Sequence, residues 1–247
     1  MGGITAVGRV TWSGVSAVVI GADARLFHRQ LSLNAHIEVP PWIEPVDTES
    51  LAEYAARMTD TIQTRPPFYL GGCSFGGMIA LEVARHIEPK AIILMGSCRT
   101  PISVNQALLG IAPLARLMPK WMLRLSSHCS PQSIQHDVGV SSKMLRWGPR
   151  AIIRWKGVSY SNSRIHQIHG GCDRIIPARN VAADQIVRTA GHLINLTHSE
   201  DVNRFITDVF RQTETIERGR LPLTRMISLT PFPPPTPLPT PRSPSQT

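Results

Sequence analysis

Tyr69-Leu70-Gly71-Gly72-Cys73-Ser74-Phe75-Gly76-Gly77-Met78-Ile79-Ala80 is the stretch of this 247-residue chain that decides its fold. An apolar run, Pro67 to Leu70, predicts a strand, and Gly77 to Ile87, with Met78, Ile79, Leu81 and Val83 on a wide apolar face, predicts a helix. Between them lies Gly72-x-Ser74-x-Gly76. A strand that turns this abruptly into a helix holds the central residue in a strained conformation, and its neighbours two positions away must lack side chains to avoid collision. The serine hydroxyl is thereby set at a helix N-terminus, whose partial positive charge favours a developing anion. Ser74 is therefore a candidate nucleophile. A serine hydroxyl is weak alone, so the reading requires a histidine base and a carboxylate to orient it.

Outward from this turn, short β-branched runs alternate with longer helical stretches, the pattern of a mostly parallel sheet covered by helices on both faces. The expected strands are Ser16 to Ile20, His36 to Val39, Pro67 to Leu70, Ala91 to Met95 and Arg164 to His169. Thr48 to Thr64 places Leu51, Tyr54, Ala55 and Met58 at helical spacing, and Leu193 to Phe210 is a further helical stretch. Asp173 follows a strand in Ile168-His169-Gly170-Gly171-Cys172-Asp173, and His192 stands in Ala190-Gly191-His192-Leu193 just before the last helix. Both fall on loops at the carboxyl edge of the sheet, where sites of open parallel sheets collect. His198 is a rival base, and Asp184 and Asp201 are rival acids. His166 and His169 alternate on one strand without further ligands at metal-site spacing, so no metal is expected.

Pro101 to Lys156 interrupts the alternation with helical pieces, Leu108 to Met118, Trp121 to Leu125 and Lys143 to Trp155. This insertion, about 101–160, is expected to form a small helical lid, with Met118, Trp121, Met122, Met144 and Trp147 as pocket-lining or core residues. The domain is expected over 1–215. Residues 216–247 are expected to be a disordered tail, because 9 of the 21 prolines fall between Leu221 and Thr247.

Apolar residues make up 42% of the chain and charged residues 17%, enough for a sizeable core. No apolar run reaches the roughly 18 residues of a membrane span, and Met1 to Ile20 fits a signal peptide poorly, so a cytoplasmic protein without stable membrane insertion is expected. The net charge of +9 is scattered, densest in Lys143, Arg146, Arg150, Arg154 and Lys156, and forms no continuous nucleic-acid-binding run. The four cysteines form no Cys-x-x-Cys pair. Nucleotide-binding glycine fingerprints are absent, so no cofactor is expected.

Ser74-Phe75-Gly76-Gly77-Met78, then His169-Gly170-x-x-Asp173-x-x-x-Pro177, then Gly191-His192, resembles the α/β-hydrolase superfamily from about Gly21 to Phe210. The resemblance implies that fold, short at the N-terminal sheet edge. Ser74 would then be nucleophile, Asp173 acid and His192 base, with the Phe75 N–H as one oxyanion donor. The second donor would be the N–H of Ile20 or Ala22, in Val18-Val19-Ile20-Gly21-Ala22, which carries one glycine and no preceding His or Pro. The implied activity is cofactor-independent hydrolysis of a carboxylic ester or thioester with an apolar acyl part. The alternative is a catalytically impaired relative that binds a small apolar ligand or a partner.

Overall fold

Val18-Val19-Ile20 and Ala91-Ile92-Ile93-Leu94-Met95 are apolar at every position, which suits strands buried on both faces. A computed structural model describes residues 12, 14–22, 24–107, 141–158 and 163–220. The strands are β1 (Ser16–Ile20), β2 (His36–Glu38), β3 (Tyr69–Cys73), β4 (Ala91–Met95), β5 (Arg164–Gly170) and β6 (Gln185–Val187). They form one sheet in the order β2-β1-β3-β4-β5-β6, with every pair parallel. The chain moves outward from β1 to β2, then returns across β1 to build β3. The strand order therefore reverses between β1 and β3, and the crevice at their carboxyl ends is the switch point where such sheets bind ligands. Ser74 lies there.

Successive residues of each strand face opposite sides. Val18, Ile20, Leu70, Ile92 and Leu94 pack in one core, and Ala17, Val19, Tyr69, Ile93 and Met95 in the other. The first core is covered by α1 (Leu51–Thr59), α2 (Phe75–Val83) and α3 (Ser142–Arg154). The second is covered by α4 (Ile194–Thr197), α5 (Ser199–Arg220) and a 3-10 helix, Ala24–Leu33.

Local chemistry explains where these helices begin. In α1, Ser50 accepts a hydrogen bond from the Glu53 N–H while the Glu53 carboxylate accepts from the Ser50 N–H, a reciprocal cap that starts the helix at Leu51 rather than Thr48. The sequence reading missed the 3-10 helix. Its buried residues, Phe27, Gln30 and Leu33, recur every third position, which is the 3-10 period rather than the α period. One of them is polar and is held by hydrogen bonds from Gln30 Nε2 to Asn195 O (3.1 Å) and Asn203 Oδ1 (3.2 Å). Strand β6 was also missed, since three edge residues with Ile186 half exposed carry little pattern.

Within the predicted insertion, α3 buries Met144, Trp147 and Ala151, and Trp155 just past its end is buried as well. Trp147 lies 4.7 Å from the Tyr54 ring centroid and donates to Glu49 O, and Trp155 Nε1 donates to Glu82 Oε1 at 2.7 Å. Met144 and Trp147 are thus core residues. Met118, Trp121, Met122 and the helices expected over Leu108 to Leu125 lie outside the described residues. At the other end α5 continues to Arg220, so the tail boundary drawn at 216 falls inside a helix. Glu214 and Glu217 hold its last turns by gripping Lys90 Nζ, each at 2.8 Å. Residues 221–247 lie outside the described residues.

Candidate active site

The turn after β3 is built as its glycines require. Ser74 has φ 55° and ψ −125°, a left-handed conformation costly for a residue with a side chain. A Cβ on Gly72 would lie 2.5 Å from the backbone of Gly76, and one on Gly76 would lie 2.1 Å from Ile20 O. Neither space exists. The strained residue is held on both sides, since Ser74 N–H donates to Met95 O (3.1 Å) and Ser97 Oγ donates to Ser74 O (2.7 Å). Ser97 follows Gly96, whose φ of 54° lets the chain turn where a Cβ would lie 2.5 Å from His192 O.

Ser74, His192 and Asp173, separated by up to 118 residues, meet in one hydrogen-bonded chain. Ser74 Oγ lies 2.6 Å from His192 Nε2, and His192 Nδ1 lies 2.8 Å from Asp173 Oδ2. A carboxylate only accepts, so Nδ1 carries the hydrogen and Nε2 presents its lone pair to the serine hydroxyl. Asp173 and His192 are buried, and Ser74 is partly accessible. The second carboxylate oxygen, Asp173 Oδ1, accepts from the N–H groups of Ile175 (2.8 Å) and Ile176 (2.9 Å). Burial alone would raise the Asp173 carboxyl, but hydrogen bonds from His169 and His192, the charge interaction with His192 and the Ile176 N–H together hold it well below the ordinary carboxylate range. Asp173 therefore stays charged beside the imidazole.

The rival groups are engaged elsewhere. His198 Nε2 pairs with Thr189 Oγ1 at 3.1 Å, Asp184 accepts from the Gln167 N–H at 2.7 Å, and Asp201 pairs with Arg204 at 2.6 Å. No His, Cys, Asp or Glu group suited to a metal occurs among the described residues. Phe75 is the first residue of α2, so its N–H has no acceptor within the helix. Ile20 is the last residue of β1, in register with Gly72, and Ala22 lies just beyond the strand end. The Phe75 ring meets Trp42 and Trp147 edge-on, at 5.9 and 6.0 Å between centroids, so the residue after the serine is anchored in an aromatic cluster. The sequence reading missed Ser97 and the role of His169, whose Nε2 lies 3.4 Å from Asp173 Oδ2. A cavity of about 400 Å³ lies at the opposite edge of the sheet, lined by Pro66, Glu88, Lys90, Arg164 and Glu217, and holds no nucleophile–base pair.

A parallel sheet that carries a strained serine at its switch point, with histidine and carboxylate supplied by later loops, is the arrangement of the α/β-hydrolase fold, and this chain has that fold. The thioesterase-domain family model matches residues 43–111, a segment that includes Ser74. Similar solved structures include ClbQ from the colibactin pathway, at 13% identity and TM-score 0.61, covering 82% of this chain and 99% of that one. A lipase-esterase related protein from Clostridium acetobutylicum is similar at 10% identity and TM-score 0.63, covering 81% and 96%. The type II thioesterase BorB of the borrelidin cluster is similar at 14% identity and TM-score 0.55, covering 80% and 94%. The search of curated proteins gave no match. No helix among the described residues is long and apolar enough to cross a membrane.

Proposed function

We propose that the chain is a serine hydrolase that cleaves a thioester or carboxylic ester of an apolar acyl group through an acyl-enzyme intermediate. The observation that carries this reading is the unbroken hydrogen-bonded chain from Ser74 Oγ through His192 to the ionised Asp173. His192 Nε2 takes the serine proton as Oγ attacks the acyl carbonyl, and Asp173 stabilises the imidazolium that results. The Phe75 N–H, with the N–H of Ile20 or Ala22 at the end of β1, binds the oxyanion. One such donor is worth roughly 100- to 1000-fold in rate. His192 then protonates the leaving thiol or alcohol, and in the second half it activates water to release the acid.

The thioester preference rests on the thioesterase-domain match over residues 43–111. The apolar acyl group suits the partly exposed rings of Phe75, the residue after the serine, and Trp42, which meets it edge-on. A panel of acyl thioesters and matched nitrophenyl esters of increasing chain length tests both points. Turnover that lengthening the acyl chain improves, at higher kcat/KM for the thioester, is expected. Folded protein that hydrolyses neither series would favour a binding protein built on the hydrolase fold.

A further inference from the structure

Asp173 is approached by two histidines, and only one of them belongs to the proton path. His169 is the penultimate residue of β5 and is completely buried. Its Nε2 lies 2.7 Å from Ile176 O and 3.4 Å from Asp173 Oδ2. Both oxygens are acceptors, so Nε2 must carry the hydrogen. Nδ1 then holds a lone pair, and it is buried with no hydrogen-bond partner. The hydrogen of His169 is therefore placed on Nε2, facing the loop and the carboxylate. A buried, half-satisfied imidazole is costly where an apolar side chain would fill the space. The cost requires a return.

The return lies in the loop. Ile176 is gripped at both ends of its peptide environment, since its N–H donates to Asp173 Oδ1 and its carbonyl accepts from His169. Asp173 N–H donates back to Gly170 O at 3.2 Å, next to His169 in the chain. His169 therefore closes a ring from the strand end through the 173–176 turn to the carboxylate, and its single N–H is also drawn toward the oxygen that holds His192.

We propose that His169 is a positioning residue that locks the Asp173 loop and shares Asp173 Oδ2 with His192, so that the carboxylate orients the imidazole without gripping its proton too tightly. The proposal deepens the hydrolase reading and rests on it for the kinetic consequence alone. The titratable groups acting on Asp173 are His192, His169 and the thiols of Cys73 and Cys98, both pushed up to about 12 by burial and hence neutral.

The test compares wild type with His169→Gln, whose amide N–H reaches the position of Nε2, with His169→Asn, whose shorter amide reaches only the position of Nδ1, and with His169→Leu, which has no donor. His192 is titrated by imidazole NMR in each, and thioester hydrolysis is measured across pH. Without the second donor, Asp173 Oδ2 holds the His192 proton more firmly. The His192 midpoint is expected to rise by about half a pH unit in His169→Leu and His169→Asn and to return toward wild type in His169→Gln. The acid limb of kcat/KM moves with it. If His169→Leu does not fold, His169→Asn against His169→Gln carries the same contrast. An unmoved or lowered His192 midpoint in His169→Leu and His169→Asn overturns the proposal. A raised midpoint in a protein whose wild type hydrolyses no acyl substrate upholds the positioning role and overturns the hydrolase reading instead.

Discussion

At the scale of the residue, the account depends on a few positions where space and charge leave no latitude. Ser74→Ala removes the nucleophile while its Cβ keeps the same backbone contacts. Steady-state assay of the variant should show turnover lowered by about 10⁴-fold or more, with an unchanged circular dichroism spectrum. Gly76→Ala should fail differently, because its Cβ would lie 2.1 Å from the backbone oxygen of Ile20, which no rotamer relieves. Urea titration should find it destabilised by about 3 kcal/mol or more. The thiols offer a contrast: burial raises Cys73 and Cys98 to about 12, whereas Cys172 is exposed. Mass-mapped alkylation at pH 7 should modify Cys172 before either of the others.

At the scale of the element, the serine turn and its two partners were legible because each lies in a short string whose glycines have a mechanical reason. Gly72 and Gly76 admit a strained serine, and Gly170-Gly171 lets β5 turn toward Asp173. The 3-10 helix and β6 were not legible, since a three-residue period with a polar member and a three-residue edge strand both fall below the patterns that mark helices and strands. The second histidine at Asp173 was hidden for another reason. On the sequence His169 and His166 stand on the same strand three residues apart, and only the fold of the 173–176 turn shows which of them faces the carboxylate. The role of α3 is likewise tertiary. Its Trp147 joins Tyr54, Phe75 and the Glu49 carbonyl, so Trp147→Ala should lower stability by about 3 to 5 kcal/mol in chemical denaturation.

At the scale of the whole molecule, two cores on opposite faces of one sheet are joined through the strands that carry the site, so the site's ionisation is felt in global stability. Asp173 has a folded pKa below its unfolded value of roughly 3.9. The sign follows from proton linkage: the unfolded chain binds the proton more readily, so Asp173 contributes stability that is fully present above about pH 4 and is lost as pH falls below it. Asp173→Asn removes that contribution. Thermal melts from pH 6 down to pH 2 should therefore show the wild-type advantage over Asp173→Asn shrinking in the acid range, and a constant gap would contradict the low folded pKa. The central claim is that the Ser74–His192–Asp173 chain makes Ser74 a nucleophile, and labelling with a fluorescent fluorophosphonate followed by intact mass measurement tests it most directly. One adduct is expected on wild type, located at Ser74, and none on folded Ser74→Ala or His192→Ala. Folded wild type that takes no label, or label that persists in Ser74→Ala, would contradict it.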